Sequence, residues 1–167
     1  MKKLSILFFT LFLTAGLVAQ DMSNERLGEI ITRVADTVAG DTGGWQFLVE
    51  DRILLCITDS GNNRMRIITP IADVADLSQE EIRNSLIANF HTALDVKYAI
   101  SDEKMWAIFV HPLRELSAEQ VESAIIQVYN ASVTFGTIYS STTLSFPGNT
   151  QPDSGTAEPK QPKLQKG

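Results

Sequence analysis

Two stretches of the chain repeat one pattern of apolar and polar positions. Ile67-Ile68-Thr69-Pro70-Ile71 leads to Leu77-Ser78-Gln79-Glu80-Glu81-Ile82, and Phe109-Val110-His111-Pro112-Leu113 leads to Leu116-Ser117-Ala118-Glu119-Gln120-Val121. Each reads as a strand, a proline step and a serine-capped helix. Ser78 with Glu81 and Ser117 with Gln120 are capping boxes, and Leu77 on Ile82 and Leu116 on Val121 are hydrophobic staples. Helical spacing then assigns a buried face of Ile82, Leu86, Ile87, Phe90 and Leu94 to the first helix. The second receives Val121, Ala124, Ile125, Val128 and Tyr129.

The same reading covers the rest of the chain. Leu27, Ile30, Ile31, Val34 and Val38 recur at helical spacing from Ser23 to Ala39. Ser23 or Asn24 caps that helix and Gly40 suits a left-handed stop. Asp41 to Gly44 is expected as a flexible connector. Trp45, Phe47 and Val49 alternate with Gln46, Leu48 and Glu50, which predicts a strand with its large residues on one side. Ile53 to Ile57 is apolar throughout, so both of its faces should be covered. Asp59-Ser60-Gly61-Asn62-Asn63 is a turn signal, and Met65 to Ile71 returns as a third strand. After the first capped helix, Val96, Tyr98 and Ile100 share one side of a strand, and Asp102-Glu103 turns into the strand Met105 to His111. Phe135 to Tyr139 and Leu144 to Phe146 read as extended.

The order is helix, three-strand meander, helix, two strands, helix: an α+β fold whose antiparallel sheet carries helices packed on it. The length of 167 residues suits one domain with terminal extras. Lys2-Lys3 before an uncharged run from Leu4 to Val18, closed by Ala19, has the form of a secretory signal. It falls short of the roughly 20 apolar residues of a membrane span. Residues 1–19 are therefore expected to be cleaved, leaving no stable membrane insertion, with the product periplasmic or secreted from a bacterium. Residues 20–146 form the domain, and 147–167, rich in Pro, Gly, Gln, Lys and Ser, are expected as a disordered tail.

Charge and candidate chemistry narrow the function. Residues 21–146 carry 18 acidic and 9 basic side chains, a balance of −9, which disfavours nucleic acid and anionic membranes. The single cysteine, Cys56, lies in an apolar run and reads as a small buried hydrophobe. His91 and His111 have no metal-ligand spacing around them. There is no Gly-x-Ser-x-Gly elbow. Of the carboxylate pairs, Glu80-Glu81 belongs to a first helical turn, while Glu50-Asp51 and Asp102-Glu103 belong to hairpin turns; a glycosidase needs two carboxyls about 5 to 9 Å apart in one cleft. The turn from Asp59 lacks the later bidentate Glu of a calcium loop. The expectation is no catalytic residue, no metal and no cofactor.

The element order and the repeated Pro70-Ile71 and Pro112-Leu113 steps, each before a Ser-capped helix, resemble the type III secretion chaperone-like fold over about residues 23–134. That fold includes the class I secretion chaperones and the YbjN-like family. The resemblance implies an α+β domain, often dimeric, that binds other polypeptides without catalysis. Those secretion chaperones work in the cytosol, so effector loading does not transfer to a chain with an export signal. A small apolar-ligand carrier in the cell envelope is the alternative reading, and a closed pocket of several hundred Å³ between sheet and helices would favour it.

One strand adds a surface. Met105, Ala107 and Phe109 point one way and Trp106, Ile108 and Val110 the other, and both sets are apolar. Helices on one side of the sheet leave the second set uncovered. Trp106, Ile108, Val110, Trp45 and Phe47 are the candidate partner-binding residues. A homodimer or another protein or peptide partner would close over them, unless Phe135 to Phe146 folds back over that face.

Overall fold

The computed structural model describes residues 21–143. The elements are α1 (Asn24–Val34), β1 (Thr37–Asp41), β2 (Gly44–Val49), β3 (Arg52–Asp59), β4 (Arg64–Asp73), α2 (Gln79–His91), β5 (Lys97–Ser101), β6 (Lys104–His111) and α3 (Ala118–Thr134), with a 3-10 turn at Val74–Asp76. The six strands form one antiparallel sheet in the order β1-β2-β3-β4-β6-β5. This is the expected α+β arrangement with helices packed on a sheet, enlarged by one strand.

The extra strand comes out of the region expected to be helical. The first helix stops at Val34, and Thr37–Asp41 pairs with β2 from Thr37↔Leu48 to Asp41↔Gly44. Asp36 helps fix this exit: its carboxylate accepts the Glu50 N–H at 2.8 Å, and its own N–H donates to the Leu48 carbonyl. Val38 still reaches the core from an extended backbone, so its apolar character satisfied helix and strand alike. Gly40 is needed for a hairpin rather than a helix stop. Its φ is +94°, and a Cβ there would lie 2.3 Å from the Gly44 carbonyl oxygen. Asp41 to Gly44 is accordingly a tight β1–β2 turn.

The capping boxes hold the repeated helices as expected. The Ser78 hydroxyl accepts the Glu81 N–H at 3.2 Å and the Glu81 carboxylate accepts the Ser78 N–H at 2.8 Å. Ser117 and Gln120 repeat both bonds at 3.2 and 2.8 Å. In the turn from Asp59, the Asp59 carboxylate accepts the Asn62 N–H at 2.9 Å.

The core lies between one sheet face and the helices. Leu27, Ile30 and Ile31 of α1 and Val121, Ala124, Ile125 and Val128 of α3 are buried against Phe47, Leu54, Cys56, Ile67, Met105 and Ala107. Tyr129, expected in that stripe, is only partly buried, and Ala131 joins it. The second helix departs from the expected face. It turns Ile82, Ser85 and Ala88 inward and leaves Leu86 and Ile87 exposed and Phe90 83% exposed; Leu94 lies beyond the helix in a left-handed turn. The reason is at the neighbouring edge strand. Asn89 faces β5 and hydrogen-bonds both backbone groups of Tyr98, which fixes the helix rotation and sends Phe90 outward.

After α3 the chain turns sharply instead of extending. Tyr139 N–H donates to the Thr134 carbonyl at 3.0 Å, and Phe135 and Tyr139 meet Tyr98 edge-on with centroids 5.5 and 6.1 Å away. The expected extended stretch Leu144 to Phe146, the signal and the tail lie outside the described residues.

Candidate functional site

Strand alternation divides the sheet residues into two sets, and helices cover only one. Tyr98, Met105, Ala107 and Phe109 are buried beneath them, as are Trp45 and Phe47. Trp45 lies under α1 and packs on Gly28, where a Cβ would meet the indole nitrogen at 3.4 Å, an ordinary contact. Ser141 and Tyr139 finish this side, with the Ser141 hydroxyl donating to the Ala93 carbonyl at 2.7 Å and the Thr92 hydroxyl to the Tyr139 carbonyl at 2.6 Å. The chain after α3 therefore packs at the α2 end of the helix layer, and through residue 143 it does not cross to the opposite face.

That opposite face gathers Trp106, Ile108 and Val110 as the alternation predicts. Antiparallel register places Ile57, Arg66 and Val110 in one cross-strand row, and Leu55, Ile68, Ile108 and Lys97 in the next. Trp106 stands beside Pro70 and Ala99 in a third row, with its indole N–H donating to the Ser101 carbonyl at 3.0 Å. Ile53 is 50% exposed, Ile57 45% and Val110 56%, while Leu55, Ile68, Trp106 and Ile108 are half-buried by one another. The expectation that both faces of Ile53 to Ile57 are covered fails among the described residues: Leu54 and Cys56 are enclosed, and Ile53 and Ile57 are not.

The structure thus brings together three of the five candidate residues, Trp106, Ile108 and Val110, and puts Trp45 and Phe47 on the other side of the sheet in the core. It adds Ile53, Leu55, Ile57 and Ile68 to the face. The signal of Ile53, Leu55 and Ile57 was legible in the all-apolar run, which calls for cover on both faces as the strand Met105 to His111 does; Ile68 carried no such signal. Pro70 opposite Trp106 withholds a backbone donor, and the β4–β6 register shifts between Pro70 and Ala72.

The two sheet edges differ. On β5 the Asn89 amide donates to the Tyr98 carbonyl at 3.0 Å and its oxygen accepts the Tyr98 N–H at 2.7 Å. One side chain thereby occupies backbone groups that an added strand would use. On β1 the residues are exposed apart from partly buried Val38, so this edge is open among the described residues.

A core of buried side chains lies between sheet and helices. A cleft of about 400 Å³ runs beside the end of β6, lined by Leu94, Asp95, Lys97, His111, Gln120 and Ser123 among others, several of them exposed, so it opens to solvent. Its polar groups are engaged in structure. Gln127 donates to Asp95 at 3.2 Å and to Ser123 at 3.1 Å, and the His111 ring stacks on Phe109 while its Nδ1 lies 2.8 Å from the Pro112 carbonyl. Burial pushes the Cys56 thiol up to about 12, which keeps it protonated and unreactive at neutral pH. No group of three or more His, Cys, Asp or Glu residues suited to a metal ion occurs among the described residues. No helix among them is long and apolar enough to cross a membrane.

No protein-family model matches the chain, and no curated protein does. Solved structures do share its fold. A chain of the HopA1–SchA chaperone–effector complex aligns with a TM-score of 0.52 and 12% identity, covering 65% of this chain and 88% of that one. A chain of the Yersinia pestis type III secretion chaperone SycH in complex with a stable fragment of YscM2 aligns at 0.50 and 13%, covering 68% and 98%. The fold is similar to that found in type III secretion chaperone–effector complexes.

Proposed function

We propose that this chain is a non-enzymatic protein-binding domain, chaperone-like in fold, that receives a polypeptide partner on the face of the sheet bearing Trp106, Ile108 and Val110. The observation that carries the reading is that apolar face: Ile53, Ile57 and Val110 stand about half exposed around a centre of half-buried aliphatic residues and an indole. Apolar surface left in water forfeits about 25 cal/mol for each Å² that a partner could bury. Contiguous patches of this kind on small domains mark interaction sites. The fold is also found in complexes between type III secretion chaperones and their protein partners, which supports the same class of role. The cleft beside the end of β6 opens to solvent, whereas a carrier would enclose its ligand in a closed pocket. The basic start, apolar run and Ala19 of residues 1–19 support export to the periplasm or beyond.

The test is site-specific photo-cross-linking in the native cell envelope. A photoreactive phenylalanine at Val110 or Ile57 is expected to capture a protein, and Trp106→Lys to abolish that capture while leaving the circular dichroism spectrum unchanged. Capture from Leu86 on α2 with none from Val110 or Ile57 contradicts the proposal.

A further inference from the structure

We infer that the partner presents an acidic amphipathic helix to the open sheet face, meeting its apolar rows with leucine-like side chains and the cations Arg66 and Lys97 with carboxylates. This rests on the reading of that face as a protein-binding surface and names the chemistry it selects. The charges are distributed unusually for a chain of net charge −6. At the rims of the face they cancel across the strands: Asp59 stands opposite Arg64, and Asp73 is ion-paired with Lys104. Asp41 lies at the far hairpin of β1. In this apolar field stand Arg66, between Ile57 and Val110, and, at the sheet edge on β5, Lys97, beside Ile108. Among the described residues no ion pair reaches either of them, and the Lys97 ammonium donates to the Leu94 carbonyl. Cations set in an apolar field favour an occupant that brings carboxylates with its apolar surface.

Charge also weighs against the two occupants nearest to hand. A second copy closing over the same face by two-fold symmetry would add a second Arg66 and Lys97 and no carboxylate to the interface they share. Residues 144–167 carry Lys160, Lys163 and Lys166 against Asp153 and Glu158, the wrong sign for this surface. A helix suits the shape. The strands β3, β4, β6 and β5 span about 14 Å at the usual strand spacing of 4.7–4.9 Å. A helix with its side chains is about 10–12 Å across.

The probes are two amphipathic helical peptides of identical leucine pattern, one with glutamate and one with lysine at the flanking positions, titrated calorimetrically into the full chain lacking its signal segment. The glutamate peptide is expected to bind at least tenfold more tightly than the lysine peptide, to weaken severalfold as salt rises, and to lose its advantage in Arg66→Glu. Equal binding of both peptides, abolished by Trp106→Lys, overturns the acidic preference and leaves the face itself standing as a binding surface. Binding that survives Trp106→Lys overturns both. So does a chain that binds neither peptide and gives no cross-link from Val110 or Ile57; if that cross-link does form, the acidic preference alone falls. A chain that binds neither but gains binding when ended at Thr143 identifies its own C-terminal segment as the occupant. A dimer by light scattering that Arg66→Glu tightens and Trp106→Lys dissolves identifies the second copy. Either result overturns the inference.

Discussion

The side chain of Asn89 spans the backbone of Tyr98, donating to its carbonyl at 3.0 Å and accepting its N–H at 2.7 Å. This pair fixes how α2 sits on the sheet and closes the β5 edge at that point. Asn89→Leu would leave both Tyr98 groups without these bonds, at a cost of about 1–3 kcal/mol where they become buried. Urea unfolding should show that loss, together with concentration-dependent association through the newly available edge. A variant of unchanged stability would show that water replaces the amide without cost.

Phe90 and Leu86 give the sharpest test of the rotation of α2. A buried Phe→Ala replacement costs about 3–5 kcal/mol, whereas surface replacements stay within about 0.5 kcal/mol. With Phe90 83% exposed, Phe90→Ala is expected to fall in the second class by thermal or denaturant unfolding. A loss of several kcal/mol would return Phe90 to the core.

Much of this fold was legible in the chain, and the misreadings share a cause. Both capping boxes, the strand alternation and the Asp59 turn depend on local hydrogen bonds and side-chain direction, which short sequence patterns encode directly. The rotation of α2 depends on a contact between Asn89 and a backbone nine residues away, and apolar spacing favoured Leu86 and Phe90 instead. Val38 fits a helix stripe and a half-buried strand equally, and only pairing with β2 decides between them. Of the candidate site, alternation in Met105 to His111 was sufficient to separate Trp106, Ile108 and Val110 from the core set. Nothing local distinguished Trp45, whose place under α1, beside Gly28, is set by tertiary packing.

The Ser78–Glu81 box should make the start of α2 acid-sensitive. The Ser78 N–H and then its hydroxyl hold the Glu81 carboxyl below its ordinary value of 4.5. A depressed acid contributes stability that is present above the unfolded value and is lost as pH falls through the folded one. Ser78→Ala removes the hydroxyl's bonds to both the Glu81 N–H and the Glu81 carboxylate, so its destabilisation at pH 7 is expected to narrow below about pH 4.5 without vanishing, because only the carboxylate bond is lost on protonation. Unfolding curves of both proteins across pH 3–7 measure the difference. A gap that does not narrow on acidification would contradict the assignment.

Cys56 should be silent in the native protein. Its thiol is fully enclosed and pushed up to about 12 by burial. A thiol reagent at pH 8 is expected to react only at the rate of unfolding and rapidly in denaturant. Fast stoichiometric reaction of the folded chain would show that β3 opens.

The face around Trp106 is the centre of this account, and the two tryptophans of the chain give a direct way to watch it. In a 15N-labelled sample each indole N–H yields one resonance, assigned by Trp106→Phe. Titrated with the glutamate and lysine peptides in turn, the Trp106 signal is predicted to move with whichever peptide binds while the buried Trp45 signal stays in place. Peptide binding that leaves the Trp106 signal unmoved would contradict the claim that the open sheet face is the binding surface.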